Sequence, residues 1–190
     1  MIDIGGTFII TLVGVILIVL FIYFIFIFNS IIRLKNNIRK SWANIDVLLK
    51  QRSDEVPNLI ASVKGYMIHE RTTLEALTKA RTEVLQAPSP STKAVAHDVI
   101  SESLKSIFAV AEQYPNLKAN TNFLKLQTRI TGIENELADR REFYNDSVNM
   151  YNIRIQSFPD LIVARVLKYA PEELFKAKEE EKKVVPVRIK

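Results

Sequence analysis

The first part of the chain is a long apolar stretch. No charged residue occurs from Ile4 to Ile32, and Phe8 to Phe28 is almost entirely Ile, Leu, Val and Phe. A helix over Phe8–Phe28 would be about 32 Å long, which matches the hydrocarbon thickness of a bilayer. A core helix that is apolar on all sides would need a larger protein to surround it. The pattern predicts a transmembrane helix over residues 8–28, after a short extracytoplasmic N-terminus of residues 1–7.

A removable leader is the alternative to a retained span. A signal peptide has an apolar region of about 7–15 residues, preceded by positive charge and followed by small residues. Here the run is longer, the charge before it is Asp3, and Phe26-Ile27-Phe28 does not resemble a cleavage site. Gly5-Gly6-Thr7-Phe8 suggests a pilin-type leader, but the basic leader and the early acidic residue are missing. We therefore expect the segment to be retained.

Basic residues follow the span directly. Arg33, Lys35, Arg39 and Lys40 precede the first acidic residue, Asp46. Because basic flanks stay on the cytoplasmic side, we expect a single-pass protein of the cell inner membrane with its N-terminus outside and its domain in the cytoplasm. The four cations could also contact anionic headgroups, at about 1 kcal/mol each. Alternatively, they set the topology and do nothing else.

Beyond the span the apolar positions recur at helical spacings of three and four, which predicts an all-α fold. The seam from Trp42 to Val84 predicts one long helix over about 29–86, with a kink near Ser53 caused by Pro57. Two further segments have the same period and end at Pro115 and Pro159, and a short fourth helix precedes Pro171. They predict helices over about 92–114, 120–158 and 160–169.

The helix lengths suggest an antiparallel bundle of three long helices plus a short fourth, within residues 29–170. For the lengths to match, we expect Tyr114–Ala119 to be an extended strap along the bundle. The same register would pair Arg141 with Glu70. Residues 171–190 are predicted to be a charged, poorly ordered tail, especially beyond Lys178.

Composition excludes most chemistry. The chain has 190 residues, 48% of them hydrophobic, no cysteine and a net charge of +5. His69-Glu70 begins like a zinc protease motif, but Thr73 stands where the second histidine belongs. His97 lies at a seam position, which favours a core histidine over a metal ligand. With no phosphate-binding glycine loop or serine nucleophile motif, we expect no enzyme, no catalytic, metal or cofactor site, no small-molecule substrate and no nucleic-acid partner.

Polar residues are unusually dense along the predicted helices, and asparagine is a poor helix former. One explanation is interhelical hydrogen bonding that fixes the register. The other is a surface for a partner. The candidates for either role are Asn44, Asp46, Arg52, Pro57, Asn58, Glu70, Tyr114, Pro115, Asn120, Asn122, Gln127, Glu134, Arg141 and Asn145.

Several motifs resemble the LemA family, in order and over about residues 30–160. They are Ser41-Trp42-Ala43-Asn44-Ile45-Asp46-Val47, Pro57-Asn58-Leu59, Val63-Lys64-Gly65-Tyr66, Tyr114-Pro115-Asn116-Leu117-Lys118-Ala119-Asn120, Arg141-Glu142-Phe143-Tyr144-Asn145 and Phe158-Pro159. The C-terminal tail is not recognisably similar. The resemblance implies a bacterial-type membrane protein with an N-terminal anchor and an antiparallel helical bundle. It supplies no established biochemical activity.

We therefore expect a membrane-anchored scaffold or adaptor. Its partners would be the lipid bilayer and either further copies of the chain or another membrane protein, met at the inner leaflet. The best candidate surfaces are Asn120-Thr121-Asn122 and the kink at Pro57. The alternative is an accessory subunit or regulator of a membrane protease or of an envelope signalling system.

Overall fold

The computed structural model describes residues 4–67, 70–87 and 90–175, and within them every regular element is a helix. This part of the chain therefore confirms the all-α class. His69 and the tail from residue 176 onwards lie outside the described residues. The helices are α1 (Ile4–Val63), α2 (Arg71–Gln86), α3 (Pro90–Ala111), α4 (Pro115–Lys118), α5 (Thr121–Gln156) and α6 (Asp160–Val166).

The predicted apolar span forms the first part of α1. Its most apolar window has a mean hydropathy of 3.2 and exposes its side chains. It is the one helix among the described residues that is long and apolar enough to cross a bilayer. The helix continues without a break from Asn29 to Lys40 and on through Pro57.

The chain divides into two compact units. Unit 1 contains Met1–Lys40 and Asp146–Glu173, and unit 2 contains Ser41–Asn145 and Leu174–Lys190. Helices α1 and α5 contribute residues to both units.

In unit 2 the long helix predicted over about 29–86 is wrong, because the chain turns after Val63. The turn is closed by backbone hydrogen bonds from Tyr66 N and Met67 N to the Val63 carbonyl, both 2.9 Å long. Arg81 of α2 then contacts Ser53 of α1, so the two helices run in opposite directions. The apolar seam hid this reversal, since Val63 and Leu77 on either side of the turn are two heptads apart and both are buried.

Helices α3 and α5 complete unit 2. Helix α5 runs opposite to α1, since Tyr144 contacts Trp42 and Arg129 contacts Glu55. It also runs opposite to α3, because Arg141 contacts His97 whereas Phe123 packs on Phe108. Helices α2 and α3 pack against each other. The core of unit 2 consists of the seam residues, among them Ile45, Leu49, Val56, Leu59, Leu77, Ile100, Leu104, Ile107, Ile130 and Leu137.

Two further expectations for unit 2 are wrong. The predicted extended strap Tyr114–Ala119 contains α4, which begins at Pro115, a residue suited to the first helical turn because it lacks an amide hydrogen. Arg141 contacts His97 rather than Glu70. Glu70 lies at the turn between α1 and α2, whereas Arg141 lies near Trp42. Along α1, Trp42 is about 30 Å from the end of the helix at Val63.

In unit 1 the end of α5 and helix α6 pack beside the part of α1 that contains Ile27, Ile31 and Ile38. These three side chains are buried, and the buried apolar side chains from the other segment are Val148, Tyr151, Ile155, Val163 and Ala164. Arg154 forms an ion pair with the buried Asp160, which joins α5 to α6. The last predicted seam position, Phe158, is an exception because 82% of its surface is exposed.

Candidate functional site: a buried arginine–histidine–glutamate cluster

Three of the long helices each place a polar side chain at the centre of unit 2. Arg52 of α1 and His97 of α3 are only 2% and 1% exposed, and Glu134 of α5 lies beside them. The Nη1 atom of Arg52 is 2.6 Å from Glu134 Oε2. Arg52 also donates through Nη1 and Nη2 to the Ser101 hydroxyl, at 3.1 Å each. All three positions belong to the apolar seams, so their polarity is an exception to the pattern.

The imidazole of His97 lies between two arginines. Arg52 contacts Nε2, and Arg141 contacts Nδ1. A neutral imidazole has one acceptor nitrogen and one donor nitrogen. The ring can therefore accept a hydrogen bond from only one of the two guanidinium groups, and the Asp98 carboxylate lies 3.9 Å from Nδ1.

Burial dominates the proton affinities of the cluster. The pKa of His97 is lowered to about 4, chiefly by burial and also by the charges of Arg52 and Arg141, against the opposing effects of Asp98 and Glu134. Burial likewise lowers the pKa of Arg52 to about 10, although Glu134 raises it. At neutral pH His97 is therefore uncharged and Arg52 is charged.

The cluster is balanced in charge but incompletely hydrogen-bonded. Two arginines face two carboxylates, whereas the Nε atoms of Arg52 and Arg141 have no hydrogen-bond partner. Such a buried network is a poor source of stability, but its contacts are lost when one of the helices that carry it shifts along another. Within the described residues, no group of three or more histidine or acidic side chains could hold a metal ion. The arrangement can fix the register of α1, α3 and α5.

A second polar contact in unit 2 holds the segment after α6. The side chain of Asn145 accepts a hydrogen bond from Phe175 N at 2.8 Å and donates one to the Phe175 carbonyl at 3.2 Å. The Phe175 ring is buried beside Trp42, with a centroid separation of 6.3 Å, and lies 4.7 Å from the Arg141 guanidinium. The expectation of a poorly ordered tail is therefore wrong at Phe175.

Unit 1 contains the same kind of contact at another asparagine of α5. Asn152 accepts a hydrogen bond from Glu172 N and donates one to the Glu172 carbonyl, both 2.9 Å long. The Tyr151 hydroxyl donates to the Ala170 carbonyl at 3.1 Å. Lys35 lies 3.6 Å from the Glu172 carboxylate and 5.6 Å from the Tyr169 ring centroid. Lys35 thus makes contacts within unit 1, whereas the other three basic residues after the span, Arg33, Arg39 and Lys40, are exposed.

Most of the other candidate residues have local roles or face solvent. Asp46 pairs with Lys93 of α3, and the Asn58 amide lies 3.4 Å from Glu55. Asn120 caps α5, because its side-chain oxygen accepts hydrogen bonds from Asn122 N and Phe123 N. Tyr114, Gln127 and Glu70 are partly exposed, and Asn44, Pro57, Asn58, Pro115 and Asn122 are exposed.

The structure thus brings Arg52, Glu134 and Arg141 together, and it adds residues that the sequence argument missed. Asp98 and Ser101 complete the cluster, and Asn152 and Phe175 complete the contacts of the C-terminal segment. The signal for the cluster was present, because charged residues and a histidine occupied apolar seam positions. No comparable pattern marked Phe175, since it lies four residues after Pro171 in a charged segment.

These features define an all-helical protein with one apolar helix compatible with a membrane anchor and a helical unit centred on buried polar residues. The chain belongs to the LemA family, whose pattern it matches over residues 41–189. This match extends into the C-terminal segment, which the resemblance in sequence motifs had not included.

Three relatives are informative. Protein LemA of Metamycoplasma hominis is 27% identical over 84% of this chain and 74% of its own length. Magnetosome protein MamQ 2 of Paramagnetospirillum magneticum is 23% identical over 80% of this chain, and the match spans 65% of that protein. Magnetosome protein MamQ of Magnetospirillum gryphiswaldense is 28% identical over 40% of this chain and 28% of its own length. None of these names is that of an enzyme.

Proposed function

We propose that this protein is a non-catalytic, membrane-anchored scaffold or adaptor that oligomerises or recruits another membrane protein at the inner leaflet. The observation that carries the proposal is α1, whose apolar side chains from Phe8 to Phe26 are exposed and whose helix continues to Val63. An exposed stretch of this size and composition needs a bilayer to cover it. Membership of the LemA family and the names of the relatives agree with a membrane-associated protein.

The distribution of polar groups supports a structural role. Arg52, His97 and Glu134 interact with one another between helices. The contacts between α1, α2, α3 and α5 support an antiparallel helical bundle as the cytoplasmic domain. Exposed apolar side chains remain for a partner, including Val47, Leu85, Val99 and Leu124.

Orientation follows from the basic flank of the anchor. Arg33, Arg39 and Lys40 are exposed and available to anionic headgroups, which supports a domain in the cytoplasm and an N-terminus outside the cell inner membrane. The chain contains no cysteine, so single cysteines report topology without background. In intact spheroplasts we expect a membrane-impermeant maleimide to label Asp3→Cys but not Lys79→Cys. The reverse pattern would overturn the orientation.

The size of the detergent-extracted protein tests the scaffold role. We expect a defined homo-oligomer by light scattering, and crosslinking in cells between copies or to one recurrent membrane protein. A monomer that co-purifies with a protease or a signalling protein would instead support the accessory-subunit role. Stoichiometric nucleotide or metal in the preparation would contradict a non-catalytic function.

A further inference from the structure

An exposed apolar corner in unit 1 connects α5 to α6. Phe158 is 82% exposed, and in α6 Ile162 and Val166 are 57% and 71% exposed. These three side chains are spaced by four residues, so those on α6 share one face of the helix. The opposite side of α6 carries Val163 and Ala164, which are buried in unit 1. The corner thus has an apolar outer face that the described protein leaves uncovered.

The inner side of the corner is held by an ion pair and a backbone hydrogen bond. Arg154 at the end of α5 forms an ion pair with Asp160, which is buried at the first turn of α6. The Tyr169 amide donates to the Ala164 carbonyl at 2.9 Å, which secures the C-terminal end of α6. The exposed apolar side chains are therefore presented by an ordered turn that is tied to α5.

Contacts within unit 1 indicate which residues of α1 lie at the same level as the corner. Lys35 contacts Glu172, which is bonded to Asn152 of α5, so Asn152 is level with Lys35. Ile31 and Ile27 lie farther toward the anchor and are buried, although Ile27 belongs to the Phe8–Phe28 stretch. In unit 1 the residues left to cover them are the end of α5 and α6. Helix α5 continues for four residues beyond Asn152 to Gln156, about 6 Å, so the corner that follows is nearer the anchor than Lys35 and at about the level of Ile31.

We propose that the Phe158–Val166 corner is a second membrane contact, which inserts its apolar face into the cytoplasmic leaflet beside the anchor. The occupant is lipid because the corner lies at the inner end of a stretch whose own exposed side chains require lipid. Arg165 and Lys168 are exposed next to Val166, where cations would meet anionic headgroups. This inference rests on the anchor function proposed above.

The absence of cysteine allows a direct test with full-length protein. Phe158→Cys and Val166→Cys are labelled with the environment-sensitive fluorophore NBD and reconstituted in vesicles of phosphatidylethanolamine and phosphatidylglycerol. Val95→Cys is the matched control, because Val95 is also a helical valine, 68% exposed, but belongs to unit 2. Val13→Cys reports the anchor itself.

We expect the probes at 158 and 166 to emit at shorter wavelength than the probe at 95. Lipids with a nitroxide near the top of the acyl chain should quench them several-fold more than that control, and more than lipids with a deep nitroxide. Quenching by aqueous iodide to the same extent as the probe at 95 would overturn the proposal. Blue-shifted emission without quenching by lipid would also overturn it, since a protein would then cover the corner. If the probe at 13 also failed to respond to lipid nitroxides, the anchor function would be wrong.

Discussion

The side chain of Arg81 donates a 2.9 Å hydrogen bond from Nε to the backbone carbonyl of Ser53. Ser53 is four residues before Pro57, and a proline has no amide hydrogen to give to that carbonyl. The bond therefore satisfies an acceptor that the proline leaves without its helical partner. It also joins α2 to α1 some way from the turn that connects them, so Pro57 contributes to the pairing of the two helices.

A double-mutant cycle tests this relationship. Arg81→Ala should lower the free energy of unfolding by about 1–3 kcal/mol, because the buried Ser53 carbonyl loses its donor. In a Pro57→Ala background the cost should be clearly smaller, since the alanine amide can bond to that carbonyl. Urea denaturation of the detergent-solubilised protein, followed by circular dichroism, measures both values. Arg71→Ala on α2 is the control, because the Arg71–Glu75 pair is exposed. If Arg81→Ala cost the same in both backgrounds, the hydrogen bond from Arg81 would not compensate for the amide hydrogen that Pro57 lacks.

The buried cluster gives a second prediction. Arg52→Met should lower the free energy of unfolding by about 1–3 kcal/mol, because Glu134, whose side chain is 37% exposed, loses its close partner. Replacing both residues, as Arg52→Met with Glu134→Leu, should recover much of this loss, since apolar groups suit the site. Arg140→Ala, which removes an exposed pair with Glu136, should change stability by less than about 1 kcal/mol. If the losses of the two substitutions were additive in the double variant, the ion pair would not account for the effect of Arg52→Met.

The sequence predicted the apolar helix from its uninterrupted apolar run and the helical seams from their periodicity, because both signals are local. It also marked Arg52, Glu134 and Arg141 as unusual, since they interrupt apolar seams. Sequence could not reveal the reversal after Val63, because the turn preserves the heptad spacing on both sides. Nor could it assign Arg141 to His97 instead of Glu70, since that pairing depends on the reversal. Contacts between distant segments, such as Asn145 with Phe175, leave no periodic pattern.

Proton binding at His97 predicts a pH dependence of stability. Its pKa is about 4 in the folded protein and 6.5 in the unfolded chain, so the unfolded chain binds more protons between these values. Stability from this group is complete above pH 6.5 and is lost as the pH falls toward 4, by on the order of 3 kcal/mol in total. The groups that face the ring are Arg52, Arg141, Asp98 and Glu134.

Comparison with His97→Gln isolates this effect from the carboxylates that titrate in the same range. Urea denaturation at pH 7 and at pH 4.5 gives the loss of stability for each protein. We expect the loss to be smaller in the variant, because it has no imidazole to protonate on unfolding. An equal loss in the two proteins would mean that the pKa of His97 is not lowered in the folded state.

The asparagines of α5 predict how the C-terminal segment is held. Asn145→Ala should speed hydrogen exchange at the Phe175 amide by roughly tenfold, because that amide loses its acceptor. Asn152→Ala should have a similar effect at the Glu172 amide. Asn149→Ala is the matched control, because Asn149 is exposed on the same helix. Exchange monitored by mass spectrometry after proteolysis resolves the segment, and unchanged exchange in Asn145→Ala would show that Trp42 and Arg141 retain Phe175 without the backbone contact.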